Sequence, residues 1–208
     1  MPGQNKYILP GTYGLVVCGG KSSRMGTDKS MLTYEERPQR YHVYEMLHSL
    51  CETVLISCNE EQSGSIEQGY DFLTDHPAYN DMGPMAALLT AFTRFPRKNI
   101  LFTGCDYPFL TIVDLRHFST HCKGEAAVSF YNEQENIYEP LLAWYPYASF
   151  GQLKKMQEAK EYSLQHFLKV SRAVKFYPAN KKSMTSIDTH EDFMKASQQL
   201  TRDRQIFF

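Results

Sequence analysis

From Gly19 to Lys29 the sequence reads Gly-Gly-Lys-Ser-Ser-Arg-Met-Gly-Thr-Asp-Lys. Paired glycines let a backbone approach a ligand closely, and successive N–H groups in such a loop can cradle phosphate oxygens. Arg24 and Lys29 would add charge-assisted hydrogen bonds or point charges to the same anion. The order is not that of a Walker loop, which places Gly-Lys before Ser or Thr, nor does it contain the G-x-G-x-x-G of dinucleotide sites. The alternative is a Gly-rich turn carrying two solvated basic residues.

A second candidate is Asp106, in Gly104-Cys105-Asp106-Tyr107-Pro108-Phe109 after an apolar run at 99–103. A carboxylate at a strand end suits Mg2+, an ion that takes oxygen ligands together with water and phosphates. An Asp beside Pro can equally serve only to stabilise a turn. Asp75 also follows a strand candidate and could orient a sugar or a metal-bound water, whereas Asp81 could cap the helix that begins near Met85. His76, His117, His121 and His190 show no metal-ligand spacing, and Cys105 reads as a packed thiol because no base partner is identifiable. Lys175, Lys181 and Lys182 make the late region locally basic, either for an anionic substrate or as a solvated face. Trp144 reads as core.

These residues need elements to hold them. The run Gly14-Leu-Val-Val-Cys18 reads as a buried strand feeding the glycine loop. Further strands are expected at 54–57, 71–74, 100–103, 126–130, 141–145 and 174–177, with polar connectors at 131–136 and 178–186. Helical spacing joins Val43, Leu47 and Leu50, then Met85, Leu88, Leu89 and Phe92, and finally Phe193, Ala196 and Leu200. Strands alternating with helices imply an α/β fold with a mostly parallel, helix-covered sheet. Ligands of such sheets gather beyond the carboxyl ends of the strands, which directs attention to the loops after Cys18, Thr74 and Thr103.

The 208 residues suffice for one domain, 1–208, with 1–12 expected as a flexible terminal segment. Lys plus Arg total 22 against 23 Asp plus Glu, so long-range attraction to polyanions is weak and a nucleic-acid partner is not expected. Five cysteines without a CxxC pair argue against a disulfide framework or thiolate zinc site. With neither a secretory pattern at the amino terminus nor an apolar stretch of bilayer length, no membrane association and a cytoplasmic location are expected.

Taken together, the segment Val17-Cys-Gly-Gly-Lys-Ser-Ser-Arg-Met-Gly-Thr-Asp-Lys29 resembles the Gly-Gly-x-Ser-x-Arg-Met-Gly-x-Asp-Lys signature of molybdenum cofactor guanylyltransferases, in the MobA-like nucleotidyltransferase group. The likeness runs from about Tyr13 to Glu191. It implies a three-layer αβα sandwich of Rossmann-like nucleotidyltransferase type. It also implies nucleotide binding at Val17, Cys18, Gly19, Gly20, Lys29, Asn59, Asp75 and Asp106, with phosphate contacts at Arg24 and Lys29 and magnesium on Asp106. Arg24, Lys29 and Asp106 would then be the catalytic residues. Glu139-Pro140-Leu141 resembles a Gln/Glu-Pro-Leu element near the acceptor site, and with Lys182 supplies the acceptor-binding residues Glu139, Pro140 and Lys182. Ser163-Leu164 resembles a helix start of the family.

Asp188-Thr-His-Glu-Asp192 resembles the family's Asn-Thr-Pro-Glu-Asp, with Asp in place of Asn and His in place of Pro. Asp188 could still reach the metal as an oxygen ligand, at the cost of added negative charge. The reaction implied is transfer of GMP from GTP to molybdenum-bound molybdopterin with release of pyrophosphate, with molybdopterin-delivery or acceptor proteins as partners. Cytidylyl transfer to molybdopterin, a sugar-phosphate nucleotidyltransferase and a catalytically weakened nucleotide sensor are the alternatives.

Overall fold

The computed structural model describes residues 8–18, 29–34 and 36–205, with 204 and 205 by backbone only, and the apolar run at 14–18 forms, up to Val17, the second half of β1 (Leu9–Val17). The strand therefore starts earlier than expected, and residues 9–12 belong to the sheet rather than to a flexible terminus. Pro10 and Gly11 interrupt the apolar pattern, but Gly11 adopts φ 69°, and this left-handed residue absorbs a register irregularity between Leu9 and Tyr13. The Gly11 N–H donates to Glu52 Oε1 at 2.5 Å, and Lys98 Nζ donates to Glu52 Oε2 at 2.6 Å. This clamp lies at the end of the sheet opposite the strand end at Val17.

The chain continues through α1 (Gln39–His48), β2 (Cys51–Cys58), α2 (Glu60–Ser63), β3 (Phe72–Thr74), α3 (Pro84–Arg94) and β4 (Asn99–Gly104). It then forms α4 (Ile112–Ser119), β5 (Val128–Asn132), β6 (Ile137–Tyr145), α5 (Phe150–Glu158), α6 (Leu164–Val170), β7 (Val174–Phe176) and α7 (His190–Gln205). The strands lie in the order β3-β2-β1-β4-β6-β5-β7, all parallel except β6, which runs antiparallel to both of its neighbours. A short turn causes that reversal. Asn132 Oδ1 accepts from the Gln134 and Glu135 N–H groups, and Asn136 takes φ 57°, so the chain folds straight back from β5 into β6.

The connector expected at 131–136 is thus shorter, since Tyr131 and Asn132 end β5, and β6 starts at Ile137 rather than at 141. Pro140 cannot donate to a ladder, and the β5–β6 register shifts opposite it, between Ser129 and Tyr131. Strand alternation sends Val16, Ile56 and Leu101 to one face, where Leu47, Phe118 and Trp144 share their core, and Leu15, Leu55 and Phe102 to the other, with Met85, Leu89, Leu153 and Phe167. The result is the three-layer α/β sandwich, with α1 and α4 on one face and α3, α5 and α6 on the other. Each large side chain fully buried there contributes about 1.5–3 kcal/mol of transfer free energy. Trp144 is core, its Nε1 donating to Thr12 Oγ1 at 3.3 Å.

Helix α3 is capped by Gly83 at φ 56° followed by Pro84, so Asp81, itself at φ 62°, precedes the cap instead of forming it. Ser163 caps α6, accepting from the His166 N–H at 3.1 Å. The chain passes from β1 outward to β2 and β3, then returns across β1 to β4. The carboxyl ends of β1 and β4 therefore flank the topological switch point. No helix among the described residues is long and apolar enough to cross a membrane.

Candidate functional site

Val17 closes β1 between Ser57 of β2 and Gly104 of β4. Beyond it, the Cys18 N–H donates to the Ser57 carbonyl and the Cys105 N–H donates to the Val17 carbonyl, each at 3.3 Å. Both Val17 and Cys18 are buried, so whatever they offer a ligand comes from their backbone rather than their side chains. Gly19, Gly20 and Arg24 lie outside the described residues. Lys29 opens a single 3-10 turn spanning Lys29–Met31.

Lys29 Nζ donates to Asp188 Oδ1 at 2.7 Å and to the Ile187 carbonyl at 3.1 Å. The Ile187 N–H in turn donates to the Asp106 carbonyl at 2.9 Å. One dipeptide step, Ile187 to Asp188, thereby joins Lys29 to Asp106 and brings Lys29, Asp106 and Asp188 to the same strand end. The Asp188 backbone is also fixed on its other side. Thr189 and Asp192 form a reciprocal cap for α7, with Asp192 N–H donating to Thr189 Oγ1 at 3.1 Å and Thr189 N–H donating to Asp192 Oδ2 at 3.1 Å.

Asp106 Oδ1 is buried and has no hydrogen-bond partner among the described residues. Burial, reinforced by the nearby Asp188 charge and opposed by Lys29, pushes its pKa to about 6. A buried carboxylate oxygen left unmatched carries a desolvation cost that a bound cation would offset. Together with Asp188, Asp106 is an all-oxygen donor set of the kind Mg2+ takes with water and phosphate oxygens. The described residues contain no group of three or more His, Cys, Asp or Glu side chains placed to hold a metal. The fit to magnesium therefore rests on these two carboxylates and leaves most coordination positions to substrate and water.

Two neighbours of Asp106 carry signals that sequence reading leaves unused. A Cβ at Gly104 would lie 2.5 Å from Asp106 Oδ1, so glycine is required there for close approach and not for any special backbone angle. Tyr107 is buried, and its hydroxyl donates to Glu139 Oε2 at 3.2 Å. Glu139 sits on the part of β6 that extends past the end of β4. Burial first, with Asp106 and Glu135 adding to it, raises the Glu139 pKa to about 7 despite the opposing Tyr107 hydrogen bond. The Tyr34 hydroxyl, also buried without a partner among the described residues, is pushed up by burial and by Cys105, Asp106 and Asp192, and its ring packs edge-on against Phe193 at 5.0 Å.

Glu139 and Lys182 line one cleft of about 650 Å³, walled by the β5–β6 turn with Glu133 and Glu135 and by the 178–186 segment with Lys181. Pro140 does not line it; its carbonyl accepts from the Tyr145 hydroxyl at 3.0 Å. Lys175 turns elsewhere, its Nζ 3.8 Å from the centroid of the Tyr131 ring. On the far side of β1, Asn59 follows β2 and Asp75 follows β3. Asn59 caps α2, its Oδ1 accepting from the Gln62 N–H at 2.8 Å. Asp75 Oδ1 is buried without a partner among the described residues, and burial raises its pKa. At about 4.8 Å per strand, β3 and β4 stand roughly 14 Å apart, a span suited to a nucleotide.

Residues 14–175 match the family described as MobA-like NTP transferase domain. The chain is 25% identical over 185 residues to a molybdenum cofactor guanylyltransferase of Ectopseudomonas mendocina, covering 88% of this chain and 90% of that one. It is 27% identical over 183 residues to a molybdenum cofactor biosynthesis bifunctional protein of Synechocystis, covering 87% of this chain but only 52% of that protein's length. Among solved structures, molybdopterin-guanine dinucleotide biosynthesis protein A of Archaeoglobus fulgidus superposes with a TM-score of 0.75 at 19% identity, over 92% of this chain and all of that one. A nucleotidyl transferase of Methanothermobacter thermautotroptrophicus gives a TM-score of 0.71 at 14% identity, over 92% of this chain and 98% of its own.

Proposed function

We propose, from the premise that this chain belongs to the MobA-like NTP transferase domain family, that it transfers GMP from GTP to molybdenum-bound molybdopterin. The observation that carries this reading is the convergence of Lys29, Asp106 and Asp188 at the switch point, beside a cleft large enough for an acceptor.

GTP lies along the carboxyl edge, with its base and ribose toward Val17, Cys18, Gly19, Gly20, Asn59 and Asp75. Its phosphates face Arg24 and Lys29, which offset the negative charge that grows on the triphosphate. Asp106 and Asp188 would hold Mg2+, which when bound neutralises phosphate charge and orients the groups that react. The acceptor occupies the cleft bounded by Glu139 and Lys182, with Pro140 stiffening the strand behind it. A terminal phosphate oxygen of molybdopterin attacks the α-phosphorus of GTP. The new P–O bond forms as the α–β anhydride bond breaks, and pyrophosphate leaves. A phosphate monoester has its second pKa at about 6 and is already largely ionised near neutral pH, so no strong protein base is required. A molybdopterin-delivering protein is the partner this chemistry calls for.

The test is magnesium-dependent pyrophosphate release with molybdenum-bound molybdopterin, comparing GTP with CTP. Selective turnover of GTP supports the reading. Selective turnover of CTP replaces the product, and turnover with neither, using folded protein and active acceptor, refutes it.

A further inference from the structure

The ammonium of Lys29 cannot serve a triphosphate and a carboxylate equally well, yet without ligand it is held by Asp188 at 2.7 Å. We infer that Asp188 is a positioning residue that holds Lys29 as an electrostatic latch, which incoming phosphates must release. The inference rests on the proposed function only in taking a nucleoside triphosphate as the ligand.

Three observations carry it. First, Asp188 is presented from a backbone fixed on both sides, by the Ile187 N–H on the Asp106 carbonyl and by the Thr189–Asp192 cap. Its carboxylate therefore faces Lys29 by construction and does not arrive there on a free loop. Second, the Ile187 carbonyl takes a second hydrogen bond from the same ammonium, so Lys29 keeps its place when the carboxylate lets go. Third, the side chains are 23% and 60% exposed for Lys29 and Asp188, which leaves the pair in contact with solvent and weak enough to break. Pairs of this kind are worth up to about 1 kcal/mol, or about two- to fivefold in a binding constant. A triphosphate carrying several charges outcompetes one carboxylate for the same cation.

Asp188 influences phosphate binding in two ways that a double-mutant cycle separates. It repels the phosphates through space whether or not Lys29 is present, and it occupies Lys29 only when Lys29 is present. Binding of GTP and of inorganic tripolyphosphate is measured calorimetrically in EDTA for wild type, Asp188→Asn, Lys29→Ala and the double variant, with thermal melts to establish folding. Lys29→Gln provides a second lysine-free background.

The latch requires that Asp188→Asn tighten metal-free binding, and that the tightening be about two- to fivefold greater with Lys29 present than without it. Equal tightening in both backgrounds assigns the effect to repulsion alone and overturns the inference, as does no tightening at all. If wild type binds tripolyphosphate in EDTA but does not bind GTP even with magnesium restored, the nucleotide reading fails while the tripolyphosphate cycle still decides the latch. Absence of metal-free binding of either ligand to wild type and to Asp188→Asn overturns the latch.

Discussion

Gly104→Ala isolates how much the chemistry depends on where the Asp106 carboxylate stands. The added methyl would lie 2.5 Å from Asp106 Oδ1, 3.1 Å from Tyr107 Cε2 and 3.2 Å from Leu141 Cβ. Ordinary contact begins near 3.4 Å, so relief requires nearly 1 Å of movement by the carboxylate oxygen but only a few tenths from the other two. Tyr107 is buried and Leu141 belongs to a paired strand, which leaves the carboxylate as the part that moves. A misplacement of about 1 Å in a reacting constellation costs roughly 100-fold in rate. Crowding of this kind costs about 1–3 kcal/mol of stability, a fall of several degrees in Tm for a chain of this size. The assay is magnesium-dependent pyrophosphate release with saturating GTP and acceptor, alongside far-UV circular dichroism and a thermal melt. Gly151→Ala is the control. Its Cβ meets nothing within 4 Å on α5, so turnover should hold while stability rises by about 0.5–1 kcal/mol. Turnover of Gly104→Ala within threefold of wild type would refute the reasoning.

Other perturbations separate charge from packing. Asp106→Asn keeps the volume but removes the negative charge, so turnover should fall at least about 100-fold while the Tm at pH 8 holds or rises, because a poorly solvated carboxylate is gone. A variant with near-normal magnesium-dependent turnover ends the assignment of Asp106. Glu139 keeps its proton to about pH 7, whereas the unfolded chain releases it near 4.5. Its contribution to stability is therefore complete below 4.5 and lost as pH rises through 7. Melting curves from pH 5 to 8 should fall more steeply for wild type than for Glu139→Gln; parallel curves would show that Glu139 does not titrate there. Glu52→Ala removes the clamp on Gly11 and Lys98 at the far end of the sheet and should cost about 1 kcal/mol without changing turnover. A loss of activity at constant fold would place that end of the sheet in the mechanism.

The strands were legible because short apolar runs mark them, buried on both faces in the centre of the sheet, and all seven stand where such runs occur, including antiparallel β6 and the more exposed edge strands β3 and β7. Their ends were less so. Leu9 to Thr12 of β1 contain Pro10 and Gly11, whose effect depends on a left-handed Gly11 held by Glu52, a contact no local window contains. The start of β6 was hidden by Pro140, tolerated because the ladder bulges opposite it. Helix α4 did carry a readable sign, the Thr111 and Asp114 capping box, although its apolar spacing is too short to stand out.

The same division holds at the site. Residue type and spacing marked Lys29 and Asp106, since a phosphate-binding loop and a carboxylate at a strand end are local patterns, whereas Asp188 entered only through the family resemblance of the 188–192 segment. Only the tertiary structure could show that Lys29 and Asp188, 159 positions apart, form an ion pair, or that Tyr107 ties the Asp106 turn to Glu139 on another strand. It alone revealed why position 104 is glycine, because the atom a methyl would strike is the buried oxygen of Asp106. A sequence specifies which groups are available through chemistry that stays within a few residues. Their distances, their burial and therefore their charge states depend on strand order and crossover, which bring together residues far apart in the chain.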